Sequence, residues 1–201
     1  MIRKVCGMRE AQNIRDVEAL GIDWMGFIFW EKTKRNVASK PDYLPKRCKL
    51  VGVFVDADID FIEQKQKDFG LNILQLHGKE SPEFCKIVKE KLGTTVMKAF
   101  SFKTAEDVAK TNEYEGACDY FLFDTPTPNA GGSGKMFDWS LLESYKGNTP
   151  FILSGGIGIG SVEALKAFSH DKWAGIDVNS KFEVEPALKD AELLRSFFES
   201  L

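Results

Sequence analysis

The chain contains 201 residues, of which 43% are hydrophobic and 28% are charged, with 17 glycines and seven prolines. These proportions exclude a disordered or fibrous polymer. They predict one compact domain over residues 1–201, large enough to bury a core without disulfides or a structural metal. A formal charge of -3 without a basic run gives no electrostatic basis for binding nucleic acid.

The location predicted from the sequence is the cytoplasm, and no membrane contact is expected. The longest apolar stretch, residues 24–30, is far shorter than the roughly 20 residues that a membrane-spanning helix needs, and no apolar leader follows the first residue. The cysteines are Cys6, Cys48, Cys85 and Cys118. They form no C-x-x-C pair, and the two histidines lie far apart, so we predict free thiols and no metal.

Short apolar runs alternate with segments of helical period along the chain, which is typical of a β/α protein. The predicted strands are residues 2–6, 25–29, 50–55, 72–76, 95–100, 120–123, 151–153 and 175–178. Helical periods lie between them, at 11–20, 59–69, 82–92, 105–114 and 162–168. Eight units without an early G-x-G-x-x-G sequence favour a (β/α)8 TIM barrel over a doubly wound open sheet, which stays the alternative.

The first predicted strand ends at Cys6, which places this thiol at the rim of the barrel mouth, where catalytic residues lie in this fold. Lys4 shares the same strand face. Its ammonium is expected to lower the pKa of Cys6 toward that of a usable base or nucleophile. The alternative is a packing role, because free cysteine is among the most buried residue types. The other three cysteines are interpreted as packing residues.

Polar side chains follow four other predicted strands. Arg35 lies in the irregular segment 30–41, where it can grip a carboxylate or simply face solvent. His77 follows the fourth strand and is a candidate for polar lining of the site. Asp124 follows the sixth strand and is a candidate general acid, with a turn as the alternative. Asp177, near the end of the eighth strand, is interpreted in the same way.

Three turns rich in glycine or polar residues follow strands six, seven and eight. They contain Gly132, Ser133 and Gly134, then Gly155 and Gly156, then Asn179 and Ser180. Backbone N–H groups of successive glycines can converge on phosphate oxygens, and turns after strands seven and eight commonly hold phosphate in this fold. Each turn alone is consistent with a flexible connection. Together they predict a phosphate site.

Six motifs, in order along the chain, resemble those of one family. They are KVCG at 4–7, LQLHG at 74–78, the aspartate at 124 with GGSG at 131–134, FDW at 137–139, SGG at 154–156 and GIDVNS at 175–180. The sequence resembles the phosphoribosylanthranilate isomerase family over its whole length. The resemblance implies isomerisation of N-(5'-phosphoribosyl)anthranilate to 1-(2-carboxyphenylamino)-1-deoxyribulose 5-phosphate, a step of tryptophan biosynthesis, without a metal or an organic cofactor.

The resemblance also implies roles for single residues. Asp124 matches the general acid that opens the ribose ring, and Cys6 matches the base that removes the C2' proton. Arg35 is similar to the arginine that pairs with the anthranilate carboxylate, and the three turns are similar to the phosphate grip. The sequence departs from the family at Lys181 and Phe182, where glycine and valine are usual. Lys181 either adds a positive charge near the phosphate or prevents a backbone N–H geometry that glycine could adopt.

Two other interpretations stay open. Indole-3-glycerol phosphate synthase is a barrel enzyme with a similar phosphate site, but it needs a catalytic lysine and glutamates on inner strands, and residues 50–55 contain none. A sugar-phosphate-binding module without catalysis would make Cys6 and Asp124 dispensable. The expected partner is a small phosphorylated substrate, and the chain is expected to be a monomer or a homodimer.

Overall fold

The eight predicted strands form a closed parallel barrel. The structure is a computed structural model, which describes residues 1–102, 104–124 and 139–201. The barrel strands are β1 (Ile2–Val5), β2 (Trp24–Ile28), β3 (Lys49–Phe54), β4 (Ile73–Leu76), β5 (Thr95–Ser101), β6 (Tyr120–Asp124), β7 (Phe151–Ser154) and β8 (Trp173–Val178). Each strand pairs with the next, and β8 closes the barrel against β1 with Lys4 opposite Asp177. The barrel prediction is confirmed, and the open sheet is excluded.

Helices cover the outside of the barrel. They are α1 (Ala11–Glu18), α2 (Ile59–Phe69), α3 (Pro82–Leu92), α4 (Ala105–Ala109), α5 (Val162–Ala167) and α6 (Ala191–Ser200). Helices α2 and α3 match the predicted segments because both ends carry strong signals. Side-chain oxygens of Asp58 and Ser81 cap their first turns, and Gly70 and Gly93 end them in the left-handed conformation. No helix in the described ranges is long and apolar enough to cross a bilayer.

Two segments differ from the prediction. The predicted helix at 105–114 is α4 followed by a 3-10 turn, Lys110–Tyr114. The C-terminal part forms a hairpin of β9 (Glu183–Glu185) and β10 (Leu188–Lys189) before α6, and none of these was predicted. Residues 29–48, all of them described, contain no helix, in agreement with the irregular segment predicted at 30–41. Hydrogen bonds to the barrel hold this loop, including Val37 N–H to the Ile28 carbonyl at 2.8 Å.

The interior of the barrel changes from apolar to polar along each strand. The layer near the amino ends consists of Trp24, Val51, Ile73, Met97, Ala99, Leu122 and Ile152. On β4, Gln75 follows Ile73 on the same face, and His77, the residue after the strand, continues it; on β6, Asp124 follows Leu122. The amino end of the barrel is therefore filled by apolar side chains, and polar side chains gather at the carboxyl mouth.

A buried ion pair lies on the outer face of the barrel, between Lys98 on β5 and Glu80 in the turn after β4. Both side chains are 3% exposed, and Lys98 Nζ lies 3.2 Å from Glu80 Oε2. Lys98 Nζ also donates to the carbonyls of Leu76, Gly78 and Ala99 at 2.8–3.3 Å. The lysine therefore fixes the turn after β4 to the neighbouring strand.

Candidate active site

A cavity of about 390 Å³ opens at the carboxyl ends of the barrel strands. The predicted site residues that line it are Cys6, His77, Asp124, Gly155, Gly156, Asp177, Asn179 and Ser180. The remaining described wall consists of Ile28, Val53, Gln75, Ser154, Ile157 and Lys181. Of the other predicted residues, Arg35 lies beside the mouth, and Gly132, Ser133 and Gly134 lie outside the described residues. The barrel thus brings together polar groups that are far apart in the sequence.

Cys6 is the residue that follows β1, and it is 4% exposed. Its backbone N–H donates to the Val178 carbonyl at 2.9 Å, so closure of the barrel fixes the position of the thiol. Gly26 on β2 makes room for the side chain, because a β-carbon at that position would lie 2.7 Å from Cys6 Sγ. The glycine in the second strand is therefore a local requirement of the thiol site.

The ionisation of Cys6 differs from the prediction. Burial raises the pKa of the Cys6 thiol, and the ammonium groups of Lys4 and Lys189 oppose this rise without reversing it. The ammonium of Lys4 acts on the pKa of Cys6 in the predicted direction. The predicted net lowering of this pKa is wrong, because the desolvation of the thiol outweighs the effect of the ammonium. An additional positive charge in the cavity would favour the thiolate.

Lys4 and Asp177 form a buried ion pair inside the mouth. Lys4 is fully buried, and its Nζ donates to Asp177 Oδ1 at 2.8 Å. Burial disfavours the charge on Lys4, but Asp177 and Cys6 outweigh it and raise the pKa of Lys4. Burial also raises the pKa of Asp177 against the effect of Lys4, and the 2.8 Å contact favours the ionised pair. Asp177 accepts a second hydrogen bond from Ser154 Oγ at 3.3 Å.

Three side chains from β4 and β6 form a row along the cavity wall. His77 Nδ1 lies 2.8 Å from Gln75 Nε2, and His77 Nε2 lies 3.3 Å from Asp124 Oδ2. The side chains of His77 and Asp124 are each 33% exposed, whereas Gln75 is buried. No role was predicted for Gln75, although the strand period places it on the same face as His77.

Arg35 reaches the mouth from the loop after β2, but a carboxylate of the protein already holds it. Arg35 Nε donates to Glu183 Oε1 at 2.9 Å, and Nη2 donates to Oε2 at 2.5 Å. Lys189 Nζ donates to the same carboxylate at 2.5 Å and to Asn179 Oδ1 at 2.8 Å. Arg35 Nη1 makes no hydrogen bond to a described residue, so the edge formed by the two Nη atoms can still grip a second carboxylate.

Arg35, Glu183, Lys189 and Asn179 form a charged and closely packed cluster beside the mouth. Burial opposes ionisation of Glu183, but hydrogen bonds from Arg35 and Lys189 outweigh it and lower the pKa of Glu183. Gly7 lies against the cluster with a φ of 77°, and a β-carbon there would lie 2.8 Å from Asn179 Oδ1 and 3.0 Å from Arg35 Cδ. Glycine is required at this position both by its backbone conformation and by space. Glu183 and Lys189 were not predicted, because the hairpin that carries them was not.

The turns after β7 and β8 form the opposite wall. Gly155 and Gly156 have φ values of 88° and 67°, a conformation that favours glycine. A β-carbon at Gly158 would lie 3.1 Å from Lys181 Cβ, so the two turns approach each other closely. Lys181, the departure noted in the sequence, lines the cavity and brings a positive charge to this wall.

A larger groove of about 760 Å³ lies at the amino ends of β2, β3 and β4, with Glu18, Asp23, Arg47 and Asn72 among its lining residues. None of the described residues predicted for the site lines this groove. Within residues 1–102, 104–124 and 139–201, no three His, Cys, Asp or Glu side chains come together as a metal site would require. The carboxyl mouth is therefore the candidate active site.

The fold and the cavity define the class of a parallel eight-stranded barrel with a polar mouth, in which a thiol and a carboxyl group are available for acid–base chemistry. The sequence model of a family described as "N-(5'phosphoribosyl)anthranilate (PRA) isomerase" matches residues 3–200. The chain is 53% identical over 207 residues to the N-(5'-phosphoribosyl)anthranilate isomerase of Parabacteroides distasonis, and the match covers 100% of this chain and 93% of that protein. The chain therefore belongs to the phosphoribosylanthranilate isomerase family.

Solved structures agree with this assignment. The crystal structure of phosphoribosyl anthranilate isomerase from Thermotoga maritima superposes with a TM-score of 0.83 at 29% identity, covering 100% of this chain and 98% of that one. A phosphoribosyl anthranilate isomerase in complex with reduced 1-(o-carboxyphenylamino)-1-deoxyribulose 5-phosphate gives a TM-score of 0.81 at 27% identity, with the same coverage. The family assignment overrules the alternative of an indole-3-glycerol phosphate synthase.

Proposed function

We propose that this protein isomerises N-(5'-phosphoribosyl)anthranilate to 1-(2-carboxyphenylamino)-1-deoxyribulose 5-phosphate in tryptophan biosynthesis (EC 5.3.1.24), with Asp124 as general acid and Cys6 as general base. The isomerase activity follows from membership in the family. The observation that carries the two residue roles is that Cys6 and Asp124 come from different strands and line one cavity of about 390 Å³. An acid and a base can therefore act on one sugar.

The first step is opening of the ribose ring. The protonated carboxyl of Asp124 gives its proton to the ring oxygen, and the bond between that oxygen and C1' breaks with its electron pair going to oxygen. The lone pair of the anilino nitrogen forms a C1'=N double bond, which leaves an iminium ion. Asp124 ends the step as a carboxylate, and the contact at 3.3 Å with His77 Nε2 can stabilise it.

The second step is removal of the C2' proton. The positive iminium ion favours the thiolate of Cys6, which offsets the rise that burial causes in the pKa of this thiol. The thiolate accepts the C2' proton, the C–H electron pair forms a C1'=C2' double bond, and the nitrogen recovers its lone pair. The resulting enolamine becomes the ketone when its hydroxyl loses a proton and C1' gains one. Lys4 supports this step because its ammonium also stabilises the thiolate.

The two anionic ends of the substrate match different walls of the mouth. The Nη edge of Arg35 suits the planar carboxylate of the anthranilate group. The backbone of Gly155 and Gly156, with Ser180 and the ammonium of Lys181, suits the phosphate. In this proposal the sugar lies between the two walls, beside Cys6 and Asp124.

The fluorescence of phosphoribosylanthranilate, which disappears on turnover, tests the proposal with purified protein. Cys6→Ser and Asp124→Asn are each expected to lower kcat by roughly 10²–10⁴-fold, because each removes one proton-transfer group. Thermal unfolding is the control for folding. Turnover absent from the wild type would refute the activity and leave a sugar-phosphate-binding module. Full activity in one variant would refute the role of that residue alone.

Three predictions accompany the proposed function. We propose one domain over residues 1–201, a cytoplasmic location, and a monomeric or homodimeric state. Size-exclusion chromatography with light scattering measures the last of these directly. A trimer or larger assembly would contradict it.

A further inference from the structure

We propose that Gln75 is a positioning residue that holds His77 in the neutral tautomer with its proton on Nε2, so that the acidic proton of Asp124 goes to the substrate and not to the imidazole. The inference rests on the proposed role of Asp124 as general acid. It assigns a function to a buried side chain of β4 that the acid–base pair itself does not use.

The orientation of the Gln75 amide determines the arrangement of protons in the row. In the structure Gln75 Nε2, which is a donor only, faces His77 Nδ1 at 2.8 Å, so Nδ1 is the acceptor and carries a lone pair. A neutral imidazole then has its proton on Nε2. That N–H faces Asp124 Oδ2 at 3.3 Å and donates to it.

This tautomer determines where the proton of Asp124 can go. Because His77 Nε2 has no lone pair, it cannot take the acidic proton, and its N–H occupies Oδ2. The acidic hydrogen is therefore left on Oδ1. After the transfer, the same N–H stabilises the carboxylate. In the opposite tautomer, Nε2 would accept the proton and compete with the ring oxygen.

The burial of Gln75 shows that packing alone does not account for a glutamine at this position. Gln75 is 1% exposed, and among the described residues its Oε1 has no hydrogen-bond partner. An unpaired buried amide oxygen is destabilising, whereas a leucine would fill a similar volume without that cost. Its backbone position is set by the register of the sheet, in which Gln75 lies opposite Val53 on β3 and Met97 on β5.

Nuclear magnetic resonance of the ¹⁵N-labelled imidazoles tests the tautomer directly, and it is simple here because the chain has only two histidines. We expect His77 Nε2 to carry the proton and Nδ1 to show the shift of an unprotonated nitrogen. His170 is the internal reference, because its Nδ1 accepts from the Lys172 backbone N–H at 3.0 Å and predicts the same tautomer. A wild-type His77 protonated on Nδ1 would overturn the proposal.

Gln75→Glu provides the functional test. A carboxylate at this position accepts a hydrogen bond from His77 Nδ1–H and therefore favours a proton on Nδ1. We expect kcat to fall by about 10–100-fold while KM changes by less than about threefold. Gln12→Glu is the matched control, because it makes the same charge change on the exposed face of α1 and should leave activity unchanged.

The outcomes separate this proposal from the proposed function. If Gln75→Glu keeps the wild-type kcat while Asp124→Asn is inactive, the positioning role is wrong and the general acid stands. If Gln75→Leu keeps the Nε2–H tautomer as fully as the wild type, the glutamine does not set it. Should either variant fail to fold, the wild-type spectrum still decides the tautomer.

Discussion

Lys4 and Lys98 are both buried lysines on barrel strands, and each is paired with a carboxylate. They point to opposite faces of the barrel. Lys98 faces outward and is surrounded by acceptors, with Glu80 and three backbone carbonyls within 3.3 Å. Lys4 faces inward, with Asp177 at 2.8 Å and the thiol of Cys6 beside it. The two buried lysines therefore have different neighbours: backbone carbonyls and a carboxylate around Lys98, and a carboxylate and a thiol around Lys4.

The difference separates a structural charge from one available to chemistry. Backbone carbonyls around Lys98 do not change their charge during a reaction, so its ammonium can only fix the turn after β4. Lys4 lies next to a group that gains and loses a proton, so its charge can act on the reaction through Cys6. A buried lysine is therefore not by itself a sign of function. It can act on a reaction only where a neighbouring group changes its charge during that reaction.

The largest expected effect in this comparison is on stability, from Lys98→Met. Removing the ammonium leaves Glu80 buried without its ionic partner, and we expect the free energy of unfolding to fall by about 3–5 kcal/mol. The kcat of the folded fraction should stay within about twofold. Urea unfolding followed by activity in native buffer measures both. A parallel loss of kcat would abolish the distinction between the two lysines.

An exposed lysine is the matched control for that variant. Lys86 on α3 has a side chain that is 66% exposed. Lys86→Met should change stability by less than about 0.5 kcal/mol.

Lys4→Met is expected to have a smaller effect on free energy but to act on catalysis. Without the ammonium the thiolate of Cys6 loses a stabilising charge, and we expect kcat to fall by about 10–100-fold, or roughly 1.4–2.7 kcal/mol. Stability should fall less than in Lys98→Met, because Asp177 lines the cavity and can take up a proton. Steady-state kinetics with urea unfolding checks this. A loss of stability with normal kcat would make Lys4 structural too.

Glu183→Gln is expected to have the smallest effect, on substrate binding. The amide keeps the shape of the carboxylate but loses the charge that fixes Arg35, so KM should rise by about three- to tenfold with kcat within about twofold. Arg35→Ala should raise KM further. Glu185→Gln, an exposed change on β9, is the control with unchanged kinetics. An unchanged KM in Glu183→Gln would mean that Arg35 needs no support from this carboxylate.

The barrel and its mouth could be predicted from the sequence because their signals are local. Apolar runs, caps such as Ser81 and the order of motifs indicate strands, helices and the strand ends where Cys6 and Asp124 lie. The relations between distant segments could not be predicted. That Glu183 holds Arg35 depends on where the hairpin of β9 and β10 folds back, and no local pattern specifies this.

The ionisation of Cys6 shows a second limit of the sequence. The strand period correctly places Lys4 on the face of the thiol. The sign of the pKa shift depends on how much water the closed barrel excludes, and burial outweighs the ammonium. Gln75 was missed for a related reason, since a glutamine in an apolar strand gains meaning only once its partner at His77 is known.

The pairing of β1 with β8 has a consequence for the timing of synthesis. Lys4 and Asp177 are 173 residues apart, and Arg35 and Glu183 are 148 apart. At translation rates of roughly 5–20 residues per second, Lys4 leaves the ribosome about 9–35 s before its partner. A nascent chain therefore carries its thiol and its lysine without the groups that fix them. The mouth is therefore assembled only after β8 and the hairpin of β9 and β10 have left the ribosome.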